Sequence, residues 1–267
     1  MQRSGYVTMM KELRNEDNKE NGRVRSHRLI PSEAIKKVFN CLGLEITRKK
    51  NVPLFTLLGL KNTPIRTIID IGANRGQFAR YISTIFPAAK IFCFEPLPGP
   101  YSELQHWAEH QQGRVVAINA ALGAESREVA MTLHDDHITS SSILKTTGLT
   151  EELYPQTRKQ REIQVQQRTL DEVLCSKDLE SNVLIKMDVQ GYEDRVIAGG
   201  RQVFLQSHAC ITEVSLDTLY QEQATFSGLS SELIKLGYRY AGNIDQKYGS
   251  DGHCVYLDAL FVRNVPR

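Results

Sequence analysis

Short apolar runs and amphipathic stretches alternate along the chain from residue 65 onwards. Runs of β-favouring residues predict seven strands, at residues 67–71, 90–94, 115–120, 183–188, 210–214, 238–241 and 259–263. Apolar residues at helical spacing predict five helices, at residues 76–85, 101–110, 170–175, 194–205 and 226–236. Short buried strands that alternate with helices are typical of a mainly parallel sheet covered on both faces, so we expect an α/β fold.

Two further segments, residues 128–133 and 162–168, alternate apolar and polar positions with period two. They predict an inserted hairpin or edge strands between the third and fourth core strands. The connection between them runs through Ser140-Ser141-Ser142 and a polar stretch to about Arg161. A connection of this length is either an ordinary surface loop or a lid over a substrate site.

The first part of the chain differs in pattern from the rest. Residues 1–30 are polar, rich in Asn, Glu, Arg and Lys, and predict poor order. An amphipathic pattern that begins at Ser32 predicts one helix, which should end near Gly43. We therefore expect an N-terminal helical arm at residues 1–64 and one large domain at residues 65–267.

Charge is unevenly spread, although the net charge is only +2. Residues 1–66 hold fourteen Lys and Arg against six Asp and Glu, whereas the remainder hold 19 against 25. Such a basic arm could contact an anionic substrate carrier, a membrane surface or nucleic acid. A solvated extension without a partner is equally consistent with this composition.

Composition and cysteine spacing narrow the class of protein. Hydrophobic residues make up 41% and charged residues 24%, which is ordinary for a soluble globular protein. No apolar run approaches the roughly 18 residues of a membrane span, and the first thirty residues lack the apolar core of a secretory signal. We therefore expect a cytoplasmic protein without a transmembrane segment. The five cysteines are never in C-x-x-C spacing, which argues against a zinc site or a disulfide framework.

A glycine-containing turn follows the first predicted strand, in the stretch TIIDIGANRGQF. A strand, such a turn and a helix start together bring backbone N–H groups to a ligand with no side chains in the way. The spacing Asp70-x-Gly72-x-Asn74-x-Gly76 lacks the later glycines of a dinucleotide site and the Gly-Lys-Ser/Thr of a P-loop. Asn74 tolerates the left-handed backbone almost as glycine does. The acid at the strand end, Asp70, suits a ligand with a positively charged amino or sulfonium group better than it suits a pyrophosphate.

Polar residues also follow the next two strands. Glu95 ends the second strand, where its carboxylate can accept both hydroxyls of a ribose. Asn119 ends the third strand, where its amide could face the edge of an adenine. An amino-acid end, a ribose and an adenine in succession describe S-adenosylmethionine lying across the carboxyl ends of the strands.

Seven stretches occur in order along the chain: IDIGANRGQF, FEPLPGPY, NAALG, SSSIL, RTLDEVL, IKMDVQGYE and ITEVS. Together they resemble one known family, the FkbM-type S-adenosylmethionine-dependent methyltransferases. The resemblance covers about residues 65–267 and leaves the arm and the inserted loop unassigned. It implies a Rossmann-like class I methyltransferase fold, with a seven-stranded, mostly parallel sheet, a reversed final strand and helices on both faces. The cofactor residues that it implies are Asp70, Gly72, Asn74, Gly76, Glu95 and Asn119.

The candidates for catalysis lie in the segment VLIKMDVQGYE, which ends the fourth core strand. A sugar hydroxyl is a poor nucleophile, so a base must take its proton during or before methyl transfer. Asp188 at the strand tip and Glu193 at the next helix start are candidates for the base or for a substrate-orienting group, with Lys186 as the nearby cation. Gln190 and Gly191 predict a tight turn between them. Alternatively, Lys186 and Asp188 form only an ion pair, and Glu193 only favours the helix N-terminus.

Glu213, at the end of the fifth strand, is a third carboxylate on the same rim. Two or three carboxylates could hold Mg²⁺ or Ca²⁺ beside the acceptor, or accept hydrogen bonds from the substrate, and the spacing leaves both open. His134 and His137 in the inserted loop could act as base or metal ligands. Exposed polar loop residues are the commoner explanation of such histidines.

The leading hypothesis is an S-adenosylmethionine-dependent O-methyltransferase. By the resemblance, its acceptor is a hydroxyl of a sugar, a glycan or glycolipid, or a secondary metabolite. Nucleic-acid methylation is disfavoured because the chain has neither a Pro-Pro pair nor a Pro-Cys motif. The alternative from another class is a binding protein that keeps the fold without catalysis, in a glycan or metabolite assembly pathway. The missing glycines argue against a nicotinamide oxidoreductase.

Overall fold

The computed structural model describes residues 37, 41, 42, 51–174 and 179–263. The chain divides into two compact units, Met1–Leu57 and Leu58–Arg267. Among the described residues of the first unit is one short helix, α1 (Pro53–Thr56). The stretch predicted to be poorly ordered and nearly all of the predicted amphipathic helix lie outside the described residues. The domain boundary after residue 64 stays a prediction.

The second unit is built on a seven-stranded sheet. Its strands are β1 (Thr67–Ile71), β2 (Lys90–Phe94), β3 (Val115–Ile118), β7 (Val183–Met187), β8 (Ser207–Ser215), β9 (Tyr238–Tyr248) and β10 (Cys254–Arg263). Their order across the sheet is β3-β2-β1-β7-β8-β10-β9, and β10 runs antiparallel to both of its neighbours. The predicted mostly parallel sheet with a reversed final strand is confirmed.

A smaller, three-stranded sheet is inserted after β3. Its strands are β4 (Ala121–Leu122), β5 (Arg127–His134) and β6 (Gln160–Arg168), in the order β4-β6-β5. β5 and β6 pair antiparallel over their full length, which confirms the predicted hairpin. We call the connection between them, residues 135–159, the inserted loop.

Seven helices of the second unit accompany these strands in the described part of the chain. They are α2 (Gln77–Ile85), α3 (Pro98–Glu109), α4 (Gly148–Leu153), α5 (Leu170–Leu174), α6 (Glu193–Gly199), α7 (Arg201–Gln206) and α8 (Phe226–Lys235). The helix α4, within the inserted loop, has no counterpart in the sequence prediction. No helix among the described residues is long and apolar enough to cross a bilayer.

The main core lies on one face of the sheet. Alternate residues of β1 and β7 pack there against α6, α7 and α8, because side chains alternate between the two faces of a strand. This core includes Ile69, Ile71, Ile185, Met187, Val196, Phe204, Leu229 and Leu233. The residues between them on the strands, such as Asp70 and Lys186, point to the opposite face of the sheet. On that face the ring centroid of Phe78, in α2, lies 5.7 Å from the Lys186 Nζ.

One predicted helix is wrong. The helix predicted at residues 194–205 is two helices, α6 and α7, which meet at Gly200. A Cβ on the adjacent Gly199 would lie 2.0 Å from the carbonyl oxygen of Gly123. The two glycines therefore allow the chain to pass directly against the backbone that follows β4, and a continuous amphipathic pattern cannot reveal this contact.

Candidate active site

The candidate site lies at the carboxyl edge of the large sheet, where β1 and β7 lie side by side. The chain continues from β1 to β2 on one side and from β7 to β8 on the other, so the connections diverge here. Ligands of open α/β sheets bind in the crevice that such a divergence leaves. The residues predicted for the cofactor and for catalysis all lie at or just after the ends of β1, β2, β3 and β7.

The turn after β1 has left-handed backbone at three positions. The angle φ is 77° at Gly72, 50° at Asn74 and 78° at Gly76. A Cβ on Gly72 would lie 2.0 Å from the backbone oxygen of Asp188. Glycine therefore lets the β1 turn pass directly against the β7 turn, and any side chain there would push the two apart.

Asp70, at the end of β1, is an isolated buried acid. It is fully buried, and neither of its carboxylate oxygens has a hydrogen-bond partner within the part of the chain that the structure describes. Burial raises its pKa to about 6, and the charge of Asp188 adds to this shift. The charge of Lys186 and the nearby backbone N–H of Ala79 oppose it. An orphaned buried carboxylate is costly, and it marks a place where a cationic or hydrogen-donating group can be bound.

Glu95 and Asn119 are tied to the backbone around them. The Glu95 Oε2 accepts a hydrogen bond from the Asn74 N–H, and its Oε1 from the Leu97 N–H, both at 2.8 Å. Asn119 Nδ2 donates to the carbonyls of Glu95 at 2.9 Å and Pro96 at 3.1 Å. Burial raises the pKa of Glu95 to about 7, against the effect of the two N–H groups. Each carboxylate oxygen keeps a second lone pair, so Glu95 can still accept a hydroxyl.

Lys186 and Asp188 form an ion pair at the tip of β7. The Lys186 Nζ lies 3.0 Å from the Asp188 Oδ2. Burial disfavours the charged form of Lys186, but the charges of Asp188, Asp70 and Asp258 outweigh burial and raise its pKa above its ordinary value. The side chain of Asp188 is 30% exposed and that of Lys186 only 7%. Asp188 is therefore the member of the pair that a substrate can reach, and a catalytic role for either stays a prediction.

Gln190 joins two carboxylates of the rim. Its Nε2 donates to the Asp188 Oδ1 at 2.6 Å and to the Glu213 Oε1 at 3.0 Å. Its Oε1 accepts from the Tyr220 hydroxyl at 2.6 Å, and its backbone carbonyl accepts from the Ser142 Oγ at 2.9 Å. The sequence indicated only a turn at Gln190 and no role for Tyr220. An amide next to a candidate acid was the one signal in the sequence that could have pointed to this contact.

Glu193, the first residue of α6, supports the turn that precedes it. It is 2% exposed, and its Oε1 accepts from the N–H groups of Val189 at 3.1 Å and Gly191 at 3.3 Å. Burial raises its pKa to about 7, against these backbone hydrogen bonds. This geometry favours the structural interpretation of Glu193, and its role as a base stays a prediction.

Comparison with known proteins identifies the family. The profile of the methyltransferase FkbM domain matches residues 70–240, well over half of the chain. That range holds the glycine turn, Glu95 and the tip of β7. The chain belongs to the FkbM methyltransferase family.

Three curated relatives show the range of this similarity. The chain is 31% identical to 2-O-methyltransferase NoeI of Sinorhizobium fredii, over 62% of this chain and 70% of that protein. It is 26% identical to 31-O-demethyl-FK506 methyltransferase FkbM of Streptomyces tacrolimicus, over 53% of this chain and 62% of that protein. It is 23% identical to hexuronic acid methyltransferase AglP of Haloferax volcanii, over 62% of this chain and 64% of that protein. The alignments with FkbM and AglP thus span less than two thirds of those proteins.

Membership of the FkbM family assigns S-adenosylmethionine as the methyl donor, and the residues present fit this cofactor. The orphaned Asp70 carboxylate suits the positively charged end of the molecule. Gly72 and Gly76 leave the turn beside it without side chains. Glu95, one strand further on, has lone pairs left for a hydroxyl group.

The histidines of the inserted segment differ from the sequence expectation. His134, the last residue of β5, is fully buried rather than exposed, and its Nδ1 lies 2.6 Å from the Thr157 carbonyl oxygen. The His137 Nδ1 lies 2.7 Å from the Ser140 Oγ, and its ring stacks on Tyr154 at 5.7 Å between centroids. Burial lowers the pKa of both histidines. Within the described residues, no group of three or more His, Cys, Asp or Glu is arranged to hold a metal ion.

Proposed function

We propose that this FkbM-family chain is an O-methyltransferase that acts on a hydroxyl group of a sugar, a glycan or glycolipid, or a secondary metabolite. The observation that carries the proposal is the position of Asp188, partly exposed at the tip of β7. Glu213, which is also partly exposed, lies on the far side of Gln190 near the end of β8. Other acids nearby are buried, namely Asp70, Glu95 and Glu193. The printed names of NoeI and FkbM, which describe O-methylation, support the same reaction class.

Asp188 is the proposed base. A bound S-adenosylmethionine supplies an electrophilic methyl group, and the protein must then align the acceptor oxygen and remove its proton. Lys186 and Gln190 hold the Asp188 carboxylate in one orientation at the divergence of the strands. Glu193 holds the turn on which Gln190 lies.

The cofactor residues are proposed with separate roles. Asp70 would bind the amino-acid end, Glu95 the ribose and Asn119 the adenine edge. The glycine turn, Gly72 to Gly76, would line the path between them. A cytoplasmic location and a membrane contact of the basic arm remain predictions from sequence.

Transfer of a labelled methyl group from S-adenosylmethionine to a panel of hydroxylated acceptors tests the proposal. Asp188→Asn should bind S-adenosylhomocysteine as the wild type does and lose about a hundredfold in turnover, because a carboxamide cannot take the proton. Glu128→Gln, an exposed acid on β5, is the matched control and should keep full turnover.

Near-normal turnover of Asp188→Asn would remove Asp188 from the role of base. A wild-type protein that binds the cofactor and methylates no acceptor would favour the binding-protein alternative.

A further inference from the structure

Asp258, on β10, is a buried acid to which neither sequence nor family similarity gives a role. It is 7% exposed, and among the described residues its carboxylate has no hydrogen-bond or ion-pair partner. Burial raises its pKa to about 7; Lys186 opposes the shift, and Asp188 and Asp245 add to it. A charged group in this state costs stability, although its charge also helps to keep the buried Lys186 protonated. A ligand with hydroxyl groups would supply the hydrogen bonds that the Asp258 carboxylate lacks among the described residues.

The register of the sheet places Asp258 in a row of acids. It lies directly opposite Glu213 on β8 and Asp245 on β9, and directly opposed residues of antiparallel strands share a face. Gln190 connects Glu213 to Asp188, so the row extends to the proposed base.

The cations of this face already lie beside acids of the row. Lys186 is paired with Asp188, and the charge of Lys247 acts on Asp245. The row, Asp188, Glu213, Asp258 and Asp245, thus holds four acids against two lysines. Burial raises the pKa of Glu213 well above its ordinary range, and the charges of Asp188 and Asp258 add to the shift.

Two partly exposed tyrosines accompany the acids. Tyr256 precedes Asp258 by two positions on β10 and therefore shares its face. Tyr154, at the end of α4, is close enough to Glu213 for that charge to add to the effect of burial in raising the tyrosine pKa. Tyrosine rings offer an apolar face with a polar edge, which suits a ring that carries hydroxyl groups.

We propose that Asp258 and Glu213 bind hydroxyl groups of the acceptor and confine it to an uncharged polyhydroxylated ring. The inference rests on the proposed function, whose acceptor it narrows. A carboxylate accepts hydrogen bonds and a protonated carboxyl group also donates one, and a hydroxyl group can serve as the partner in either case. A carboxylate or phosphate on the acceptor would add to the repulsion within the row, so the same acids select against it.

The test is calorimetric binding of sugars to the protein saturated with S-adenosylhomocysteine, at pH 8. The probes are neutral hexoses and N-acetylhexosamines, each with its uronic acid and its 6-phosphate, and 6-deoxyhexoses as further neutral sugars. At least one neutral sugar should bind, and its anionic counterparts should bind about tenfold or more weakly.

Asp258→Asn separates a binding role from a structural one. Because the buried charge is removed, the variant should melt at a higher temperature than the wild type at pH 8. It should also bind the neutral sugar about tenfold more weakly, since it loses a charge-assisted hydrogen bond. Its preference for the neutral sugar over the uronic acid should narrow. Glu128→Gln should change none of these quantities.

Three results would overturn the inference: anionic sugars that bind as tightly as their neutral parents, no binding of any sugar, or unchanged sugar affinity in Asp258→Asn. Failure of the proposed function looks different. Neutral sugars would then bind and depend on Asp258, yet no methyl group would be transferred to them.

Discussion

At the scale of single residues, the site is defined by acids that differ in what they contact. Glu95 and Glu193 accept hydrogen bonds from backbone N–H groups, and Asp188 is paired with Lys186. Asp70 makes no hydrogen bond to any residue that the structure describes. Its place at a strand end can be predicted from sequence, because an acid follows an apolar run. Its isolation cannot, because that depends on which groups the fold brings near it.

Asp70→Asn should make the free protein more stable and the cofactor complex weaker. Burial raises the Asp70 pKa from 3.8 to about 6, so the folded state binds the proton more tightly than the unfolded state. Stability is therefore lost as the pH rises from about 4 to about 6, by on the order of 3 kcal/mol in total. The variant should avoid this loss and melt higher than the wild type at pH 8. Its affinity for S-adenosylmethionine should fall at least tenfold.

Melting curves at pH 5 and pH 8, with calorimetry at pH 8, check both effects. The stability gain at pH 5 should be about half of the gain at pH 8, because the wild type loses this stability between about pH 4 and about pH 6. Lower stability of the variant together with unchanged cofactor affinity would contradict a ligand-binding role for Asp70.

At the scale of elements, the inserted loop is anchored to the rim of the large sheet. The Tyr220 hydroxyl lies 2.6 Å from the Gln190 Oε1 and 3.1 Å from the Ser140 carbonyl, and the Ser142 Oγ donates to the Gln190 carbonyl. Sequence patterning predicted the hairpin that carries this loop and left open whether the loop is a lid. It could not predict the anchor, because Gln190 and the serines are some fifty residues apart in sequence.

Gln190→Asn tests this anchor. Asn tolerates the left-handed backbone at this position, where φ is 58°, but its side chain is one methylene shorter. It should not reach Asp188, Glu213 and Tyr220 together, so hydrogen exchange in residues 138–154 should become faster. Turnover should fall while affinity for S-adenosylhomocysteine stays the same.

Hydrogen exchange measured by mass spectrometry provides the check, with Gln202→Asn on the exposed side of α7 as the control. Unchanged exchange in residues 138–154 would show that Gln190 does not hold the inserted loop.

At the scale of the whole molecule, alternation of strands and helices was sufficient to predict a mostly parallel α/β sheet. The reversed final strand came from the resemblance to the FkbM family, and the structure confirms it. Predicted strand ends differed from the observed ends by up to seven residues, at the end of β9, and the glycine break between α6 and α7 was missed. The row of acids across β8, β10 and β9 was missed as well, because strand register depends on pairing between distant segments.

The central claim is that the carboxyl edge of this sheet binds S-adenosylmethionine. Calorimetric titration of the purified chain with S-adenosylmethionine, S-adenosylhomocysteine and NAD tests it most directly. We predict micromolar binding of the first two and none of NAD. Binding of NAD alone, or of none of the three, would contradict the account.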